Sequence, residues 1–361
     1  MKRILKPYTN IFLDAAFTSI MAHLRTILET FTACHGIAGH EDEVATSIIQ
    51  HGDFTSYGRD AMGNLLCMKE TTPGAPTVLL DAHMDEVGFI VKYIDDDGYL
   101  YLDAVGGIDT KALSGACLLV HGNSLLRGIV SDMPPHIAHG STVPELGDLP
   151  LDIGMSGREA RETVPVGSPV TFSTRLRQVG QHKVCSKALD NRAGCTVLCS
   201  LSRKLDVPFN LAFLFSSQEE VGTRGAYAAL TSSAPALALS IDTTHGDMYG
   251  VPREKTRTLG SGTIIGVGAN IHHSLFSRLR ETAKNDGIAH TIKAYAGATP
   301  TNLRSMQTAG RGVATALLSI PTRYLHTPAE VADMRDIKAT QRLVSSFLSS
   351  LDESYVEAIA C

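Results

Sequence analysis

The strongest constraint on the fold is a change along the chain in the pattern of strand-like and helix-like segments. Apolar strand-like runs alternate with helix-like segments at both ends, as at 77–81 and 210–216, whereas residues 93–177 hold short β-like runs separated by Gly, Asp and Pro. Strands that alternate with helices are typical of a sheet covered on both faces. We therefore expect an α/β domain with a mixed sheet, formed by residues 1–92 and 178–361. A small β-barrel or PDZ-like domain at 93–177 would interrupt it.

Hydrophobic periodicity predicts the individual elements of the α/β part. Helices are expected at 21–32, 41–51, 191–205, 225–231, 274–287 and 335–351. Strands are expected at 64–69, 77–81, 210–216, 236–242 and 313–320. The stretch GVGAN at 266–270 lacks the third glycine of a dinucleotide-binding fingerprint, so we interpret it as a plain loop.

Composition excludes several classes of function. A formal charge of −5 over 361 residues offers no basic surface for nucleic acid, so no nucleic-acid partner is expected. No run reaches the roughly 18 apolar residues that span a bilayer, so no membrane partner is expected either. The seven cysteines are odd in number and contain no C-x-x-C pair, which favours a reducing, cytoplasmic location. Asp14 interrupts the apolar run near the N-terminus, which argues against a signal peptide.

Histidines and carboxylates stand after apolar strands or in loops rich in glycine and proline. They are His83 and Asp85 in AHMDEVG, Asp190 in KALDNRAG, Glu219 and Glu220 in SSQEEVG, Asp242 in SIDTTHGD and His326 in RYLHTPAE. Taken singly, each has a plainer interpretation as a turn former, a helix cap or a solvated residue. Together they are able to converge, because ligands bind beyond the carboxyl ends of strands in open α/β sheets. Two imidazoles with several carboxylates suit zinc, cobalt or manganese better than calcium.

Four of these segments, in this order, resemble one known family. AHMDEVGFIV, KALDNRAGC, SSQEEVGTRGA and IPTRYLHTPAEV are similar to motifs of the glutamyl or deblocking aminopeptidases of zinc-peptidase clan MH, which include the tetrahedral (TET) dodecameric enzymes. The resemblance covers about residues 21–351. It implies the zinc-exopeptidase type of α/β fold, with residues 93–177 as an inserted dimerisation domain.

The resemblance also implies a role for each metal-site residue. His83 and Asp242 would be the terminal ligands of one metal ion, and Glu220 and His326 those of the other. Asp190 would bridge both ions. Two divalent ions per subunit are therefore expected, with zinc first and cobalt or manganese as alternatives.

Two further residues take catalytic roles by resemblance. Asp85 would accept the second ring N–H of His83, which fixes the tautomer of the ligand. Glu219 would be the general base. Neighbouring residues in extended backbone point in opposite directions, so Glu220 is able to face a metal while Glu219 faces the attacking water.

The predicted activity is that of a hydrolase, a metallo-aminopeptidase that removes N-terminal residues from peptides with a free N-terminus. The resemblance implies a homo-oligomer in which dimers assemble into a dodecamer. A related deacylase or carboxypeptidase on the same scaffold remains an alternative, as does a catalytically silent assembly or peptide-binding protein.

One segment departs from the family pattern. Many relatives carry Gly-Thr-Asp-Ala upstream of the final histidine, whereas this chain has GATPTN, in which Pro300 follows Thr299 and no acid is present. Proline fixes its own backbone and removes a donor, so we expect a differently shaped loop. This departure bears on substrate preference, and the preferred N-terminal residue stays open at this point.

Overall fold

A computed structural model describes residues 9–71, 73–134, 143–203, 205–233 and 235–360, and side chains from residue 19 to residue 359 within these ranges. The side chain of Asp14, on which the argument about a signal peptide depends, lies outside the described residues. Within the described part, no helix is both long and apolar enough to cross a membrane.

Nine helices and seventeen strands form the described structure. The helices are α1 Thr9–Ala33, α2 Asp42–His51, α3 Gly157–Thr163, α4 Leu189–Ser202, α5 Arg224–Ser232, α6 His273–Asn285, α7 Leu303–Gln307, α8 Met334–Ser349 and α9 Glu353–Ala360. The strands are β1 Ser56–Arg59, β2 Leu65–Lys69, β3 Thr77–His83, β4 Gly88–Ile94, β5 Leu100–Val105, β6 Cys117–His121, β7 Leu125–Val130, β8 Leu151–Asp152, β9 Pro169–Phe172, β10 Arg177–Val179, β11 Lys183–Ser186, β12 Asn210–Ser216, β13 Leu237–His245, β14 Thr263–Gly268, β15 His290–Tyr295, β16 Ala314–Arg323 and β17 Glu330–Asp333.

Eleven strands form one mixed sheet with the order β1-β2-β12-β3-β13-β16-β17-β11-β10, and β14 and β15 extend it beside β16. Its centre, β12-β3-β13-β16, is parallel, and the pairings of β2 with β12 and of β16 with β17 are antiparallel. All seven residues of β12 are buried, as expected of a parallel strand that is covered on both faces. The predicted α/β fold with a mixed sheet is confirmed.

The two faces of the sheet belong to two hydrophobic cores. In β12, Phe213 packs into the larger core with helices α1, α4 and α8, whereas Leu214 packs with α5 and α7 on the opposite face. The neighbouring strand β3 divides in the same way between Leu80 and Leu79. This alternation follows from the two-residue period of a strand and holds helices against both faces.

The other six strands close into a barrel with the order β4-β5-β8-β7-β6-β9. Phe89, Leu118 and Phe172 lie in its separate core. This confirms a small β-barrel as the interrupting unit. Strand β4 begins at Gly88, only five residues after β3 ends at His83, so the barrel starts directly beside the sheet edge where the candidate ligands lie.

The interpretation of 266–270 as a plain loop is wrong for its first three residues. Residues 266–268 belong to β14, which pairs with β15 and β16. A Cβ at Gly266 would lie 2.9 Å from Ile271 Cδ1 and 3.2 Å from Leu317 Cβ, so glycine here permits close packing rather than a turn. Strand β15 was not predicted at all, because its exposure alternates weakly and it carries polar residues.

Candidate metal centre and active site

The carboxyl ends of neighbouring parallel strands bring the predicted ligands together. His83 ends β3, Asp242 lies near the end of the adjacent β13, and Glu219 and Glu220 follow the end of β12. Asp190 stands at the start of α4, which packs against β3 and β13. This is the edge at which ligands bind in open α/β sheets.

His326 completes the cluster from the connection between β16 and β17. Its Nε2 lies 3.5 Å from Asp190 Oδ2 and 3.4 Å from Glu220 Oε2. On the other side, His83 Nε2 lies 3.2 Å from Asp190 Oδ1 and 3.6 Å from Asp242 Oδ1. Asp190 therefore offers one oxygen to each of two groups, and the atoms of each group are close enough together to hold a metal ion.

The carboxylates of the cluster are not neutralised by lysine or arginine in the described part of the chain. In the described part of the chain, no Lys or Arg forms an ion pair with Asp190, Glu220 or Asp242, and the two histidines are their only basic partners. Burial lowers the pKa of His326, but hydrogen bonds to Asp190 and Glu220 outweigh it and raise the pKa to about 11. Imidazoles must be neutral to bind a metal, so metal binding here would release these protons.

Glu219 lies beside the two groups and is half-buried. Burial raises the pKa of Glu219 to about 9; His83 opposes this shift, and Asp242 and Glu220 add to it. A bound cation would oppose it further by the same electrostatics. A carboxyl group in such surroundings is suited to exchange a proton near neutral pH.

Asp85 is fully buried and orders the loop that carries the two glutamates. Its carboxylate accepts the backbone N–H groups of Glu219 at 3.0 Å and of Glu220 at 3.1 Å. His83 Nδ1 lies 3.1 Å from the backbone oxygen of Asp85 and 3.4 Å from its carboxylate. The closest acceptor for the ring N–H is therefore the carbonyl of Asp85, and the carboxylate is the second.

Sequence reasoning missed Glu330. This buried carboxylate accepts the backbone N–H of Asp190 at 2.9 Å and that of His326 at 2.8 Å, and so links the segments that carry two candidate ligands. Burial raises the pKa of Glu330 to about 8. The available signal was its place in the motif HTPAE, four residues after His326.

Backbone strain is concentrated around the cluster. His326 has φ 62°, Gln218 just before Glu219 has φ 57°, and Ala188 near Asp190 has φ 54°. Non-glycine residues adopt this left-handed region at a cost, and such residues persist where the surrounding structure holds them for a purpose. Three of the five such residues in the described chain lie at or beside candidate ligands.

A cavity of about 280 Å³ opens onto the cluster. Besides His83, Asp190, Glu219, Glu220, Asp242 and His326, it is lined by Thr243, Thr244, His245, Lys293, Tyr295, Pro300, Thr301 and Leu325. The segment GATPTN, which differs from the family pattern, thus contributes Pro300 and Thr301 to the wall of the cavity. Its Asn302 anchors the loop by donating to Ser216 Oγ at 2.7 Å. Lys293 and Tyr295 were missed because β15 was not predicted.

Comparison with known proteins identifies the family of the chain. The sequence profile of the family described as M42 glutamyl aminopeptidase matches residues 63–343, more than half of the chain. The chain belongs to this family. A lysyl aminopeptidase from Pyrococcus furiosus is 30% identical over 301 residues, which cover 81% of this chain and 86% of the relative. The protein is therefore an aminopeptidase-type hydrolase, as its motifs predict.

Solved structures of the family share the fold. A TET aminopeptidase from a marine sediment Thaumarchaeota archaeon superposes with a TM-score of 0.88 at 26% identity, over 93% of this chain and 99% of that one. The Pyrococcus horikoshii TET1 peptidase, which assembles into a tetrahedron or a large octahedral shell, gives a TM-score of 0.80 at 29% identity, over 91% and 100%.

Proposed function

We propose that this chain is an aminopeptidase with a two-metal centre, which hydrolyses the N-terminal peptide bond of its substrates. The observation that carries the proposal is the position of Asp190, whose two oxygens face two separate histidine–carboxylate groups. His83 and Asp242 would hold one ion, His326 and Glu220 the other. Mixed nitrogen and oxygen donors without thiolates fit zinc, cobalt or manganese.

Metal ions bound there would polarise the scissile carbonyl and make water a better nucleophile. Glu219 carries out the proton transfers of the reaction. It accepts a proton from the attacking water as the C–O bond forms, and it delivers that proton to the leaving amine as the C–N bond breaks. Asp85 positions Glu219 for this task through its backbone N–H.

The variant Glu219→Gln tests the general base. We expect kcat on aminoacyl anilides to fall by about 10²- to 10⁴-fold while both metals remain bound, because the amide cannot carry the proton and no ligand is removed. Elemental analysis and steady-state kinetics measure the two quantities. Glu281→Gln, on the exposed face of α6, is the matched control. An unchanged kcat in Glu219→Gln would remove Glu219 from this role.

A panel of substrates distinguishes the aminopeptidase from a deacylase or carboxypeptidase on the same scaffold. The free-amine substrates should be cleaved, whereas N-acylated peptides with the same sequence should resist. Cleavage of the N-acyl bond alone, or from the C-terminus alone, would assign the chain to one of the alternatives. Metal-loaded protein that cleaves none of them would support the catalytically silent alternative.

We further propose that the inserted barrel mediates dimers and that these build a dodecamer, as the shell formed by the Pyrococcus horikoshii relative suggests. Active sites inside such a shell would meet only unfolded peptides. Light scattering on the purified protein tests this: a mass of twelve subunits is expected, and a monomer at working concentration would reject the shell. The cytoplasmic location stays a prediction.

A further inference from the structure

A buried acid contacts the segment GATPTN, which itself contains none. Asp81 belongs to β3, two residues before His83, and its side chain is fully buried. Its carboxylate accepts the hydroxyl of Ser216 at 2.7 Å on Oδ1 and that of Ser240 at 2.9 Å on Oδ2. The amide nitrogen of Asn302, the last residue of the segment, lies 3.3 Å from each of these oxygens. The acid that the segment lacks is therefore present across a hydrogen bond from it.

The hydroxyl of Ser216 joins the two side chains. Ser216 ends β12, and its oxygen lies 2.7 Å from both Asp81 Oδ1 and Asn302 Nδ2. It donates its one proton to the carboxylate and accepts a proton from the amide. The network thus connects β3, β12 and the start of α7. Both strands lead directly into candidate metal ligands, so the network ties the segment to the sheet edge at which the metal cluster lies.

The segment is held at two points, on either side of the residues that line the cavity. Pro300 and Thr301 form part of the cavity wall. Before them, Thr299 Oγ1 accepts the side-chain amide of Asn270 at 3.1 Å, and after them Asn302 joins the network around the acid. The first anchor links neutral groups, whereas the second includes a carboxylate. Loss of either anchor would free this part of the wall to move relative to the metal cluster.

Packing alone does not account for an acid at position 81. Leu79, two residues earlier on β3, points to the same side of the sheet and packs in the apolar core with α5 and α7. Burial of a carboxylate costs free energy, whereas an apolar side chain at this place would extend the core. A hydrogen-bonded polar network instead fixes one arrangement of the segments that it joins. Asp81 is therefore suited to hold GATPTN in place beside the cavity.

We propose that Asp81 is a positioning residue for peptide hydrolysis. Through Asn302 and Ser216 it fixes the part of the cavity wall that GATPTN forms, and it supplies the acid that many relatives carry within this segment. Asp81 is not one of the described residues that line the cavity, so its effect on catalysis passes through the segment. This inference rests on the aminopeptidase function proposed above.

An exchange of the acid and the amide tests the proposal, because Asp and Asn side chains have the same shape. Asp81→Asn leaves two amides in contact, and Asn302→Asp leaves two carboxylates. The double variant Asp81→Asn/Asn302→Asp restores one of each, and the hydroxyl of Ser216 is able to donate to a carboxylate at either position. If the two residues act as a unit, the double variant should recover what each single variant loses.

Steady-state kinetics on the aminoacyl anilide that the metal-loaded wild type cleaves fastest is the main readout. Asp81→Asn should raise KM about 10-fold, near the lower end of the range for loss of a hydrogen bond to a charged group. Asn302→Asp should raise it further, because it adds repulsion between like charges. In the double variant KM should lie within about threefold of the wild-type value. Asp103→Asn and Asn285→Asp, at exposed positions, are the matched controls.

Three further measurements separate positioning from stability. In Asp81→Asn, kcat should change less than about threefold, because the wall contacts substrate and transition state alike. The dissociation constant of the free amino acid product, measured by calorimetry, should rise with KM and recover in the double variant. Elemental analysis should find the wild-type metal content in every variant. A purely structural role would lower the free energy of unfolding and leave KM and the dissociation constant unchanged.

A second variant covers the case in which Asn302→Asp does not fold. Asn302→Ala removes the amide without adding charge and should raise KM by a factor similar to that of Asp81→Asn. A folded double variant beside an unfolded Asn302→Asp would itself be the recovery that a coupled pair predicts.

The outcomes that contradict the proposal are distinct. An unchanged KM in the single variants, or effects that add in the double variant, would overturn the role of Asp81 and leave the aminopeptidase function standing. Loss of metal from Asp81→Asn would assign the residue to the support of His83 instead and would also overturn it. If the metal-loaded wild type cleaves no anilide, the proposed function itself fails, and the inference fails with it.

Discussion

Two buried carboxylate clusters lie side by side in this protein and are balanced in different ways. Around Glu86, Lys187 Nζ lies 2.7 Å from both carboxylate oxygens and Arg192 Nη2 lies 3.4 Å from one of them. Around Asp190, the only basic partners in the described chain are His83 and His326. The same two segments, 83–86 and 187–192, contribute to both clusters.

The difference shows which cluster has its charge balanced without a bound cation. Glu86 has two cationic partners, Lys187 and Arg192, and also accepts the backbone N–H of Gly36 at 3.0 Å, so its charge is balanced by the chain. The cluster at Asp190 has excess negative charge, which protons on its histidines and carboxylates or an added cation would balance. Near pH 7 a protonated lysine or arginine side chain does not bind a metal ion, whereas a neutral histidine does. The cluster at Asp190 is therefore the one suited to a metal ion.

The largest expected effect follows from removing the shared acid of the second cluster. Asp190→Asn should empty both metal positions together and lower kcat/KM on the order of 10⁴-fold or more, since electrostatic stabilisation of the transition state leaves with the ions. Elemental analysis and kinetics would record both effects. Asp103→Asn, at an exposed position in the barrel, serves as the control. Loss of a single metal would make Asp190 a terminal ligand rather than a bridge.

A substitution in the cluster around Glu86 should lower the stability of the protein rather than its metal content. Glu86→Gln leaves Lys187 and Arg192 buried without their counter-ion, which should cost about 3–5 kcal/mol of unfolding free energy. The folded fraction should bind metal normally. Denaturant titration measures the loss, and Glu162→Gln in the exposed pair with Arg158 should cost only about 0.3–0.5 kcal/mol. Equal losses of unfolding free energy in the two variants would show that burial does not increase the contribution of the Glu86 ion pairs to stability.

The smallest effect is expected where the structure orders the ligands indirectly. Glu330→Gln retains one acceptor for the two backbone N–H groups of Asp190 and His326 but turns an amide donor toward the other. We expect metal affinity to fall by about 10- to 100-fold, and the buried donor–donor mismatch to cost about 1–3 kcal/mol of unfolding free energy. Competition with a chelator would measure the affinity, and Glu357→Gln, at an exposed position of α9, is the control. Unaltered affinity would leave Glu330 with a purely structural role.

Local sequence was sufficient for much of this protein. The apolar runs at 77–81 and 210–216 identified the buried centre of the sheet, because a strand covered on both faces is apolar at every position. The β-rich stretch after residue 92 identified the barrel for a related reason, since short strands and turns have their own composition. The candidate ligands were recognisable because each lies in a short motif at the end of such an element.

Other features depend on contacts between distant segments and were settled by the tertiary structure alone. Glu330 is 140 residues from Asp190, to whose backbone it bonds. Lys293 faces the cavity only because β15 pairs with β14 at the side of the sheet, and neither strand has a strong pattern of its own.

The sequence by itself determined the family, the α/β scaffold with its barrel, and the histidines and carboxylates at the strand ends. Only the tertiary structure decided that Asp190 faces both histidines, that Glu86 is balanced by Lys187 and Arg192, and that Lys293 lines the same cavity as the candidate ligands. The physical reason is that hydrophobic periodicity is a local property of the chain. Charge balance, in contrast, depends on which groups meet once solvent has been excluded.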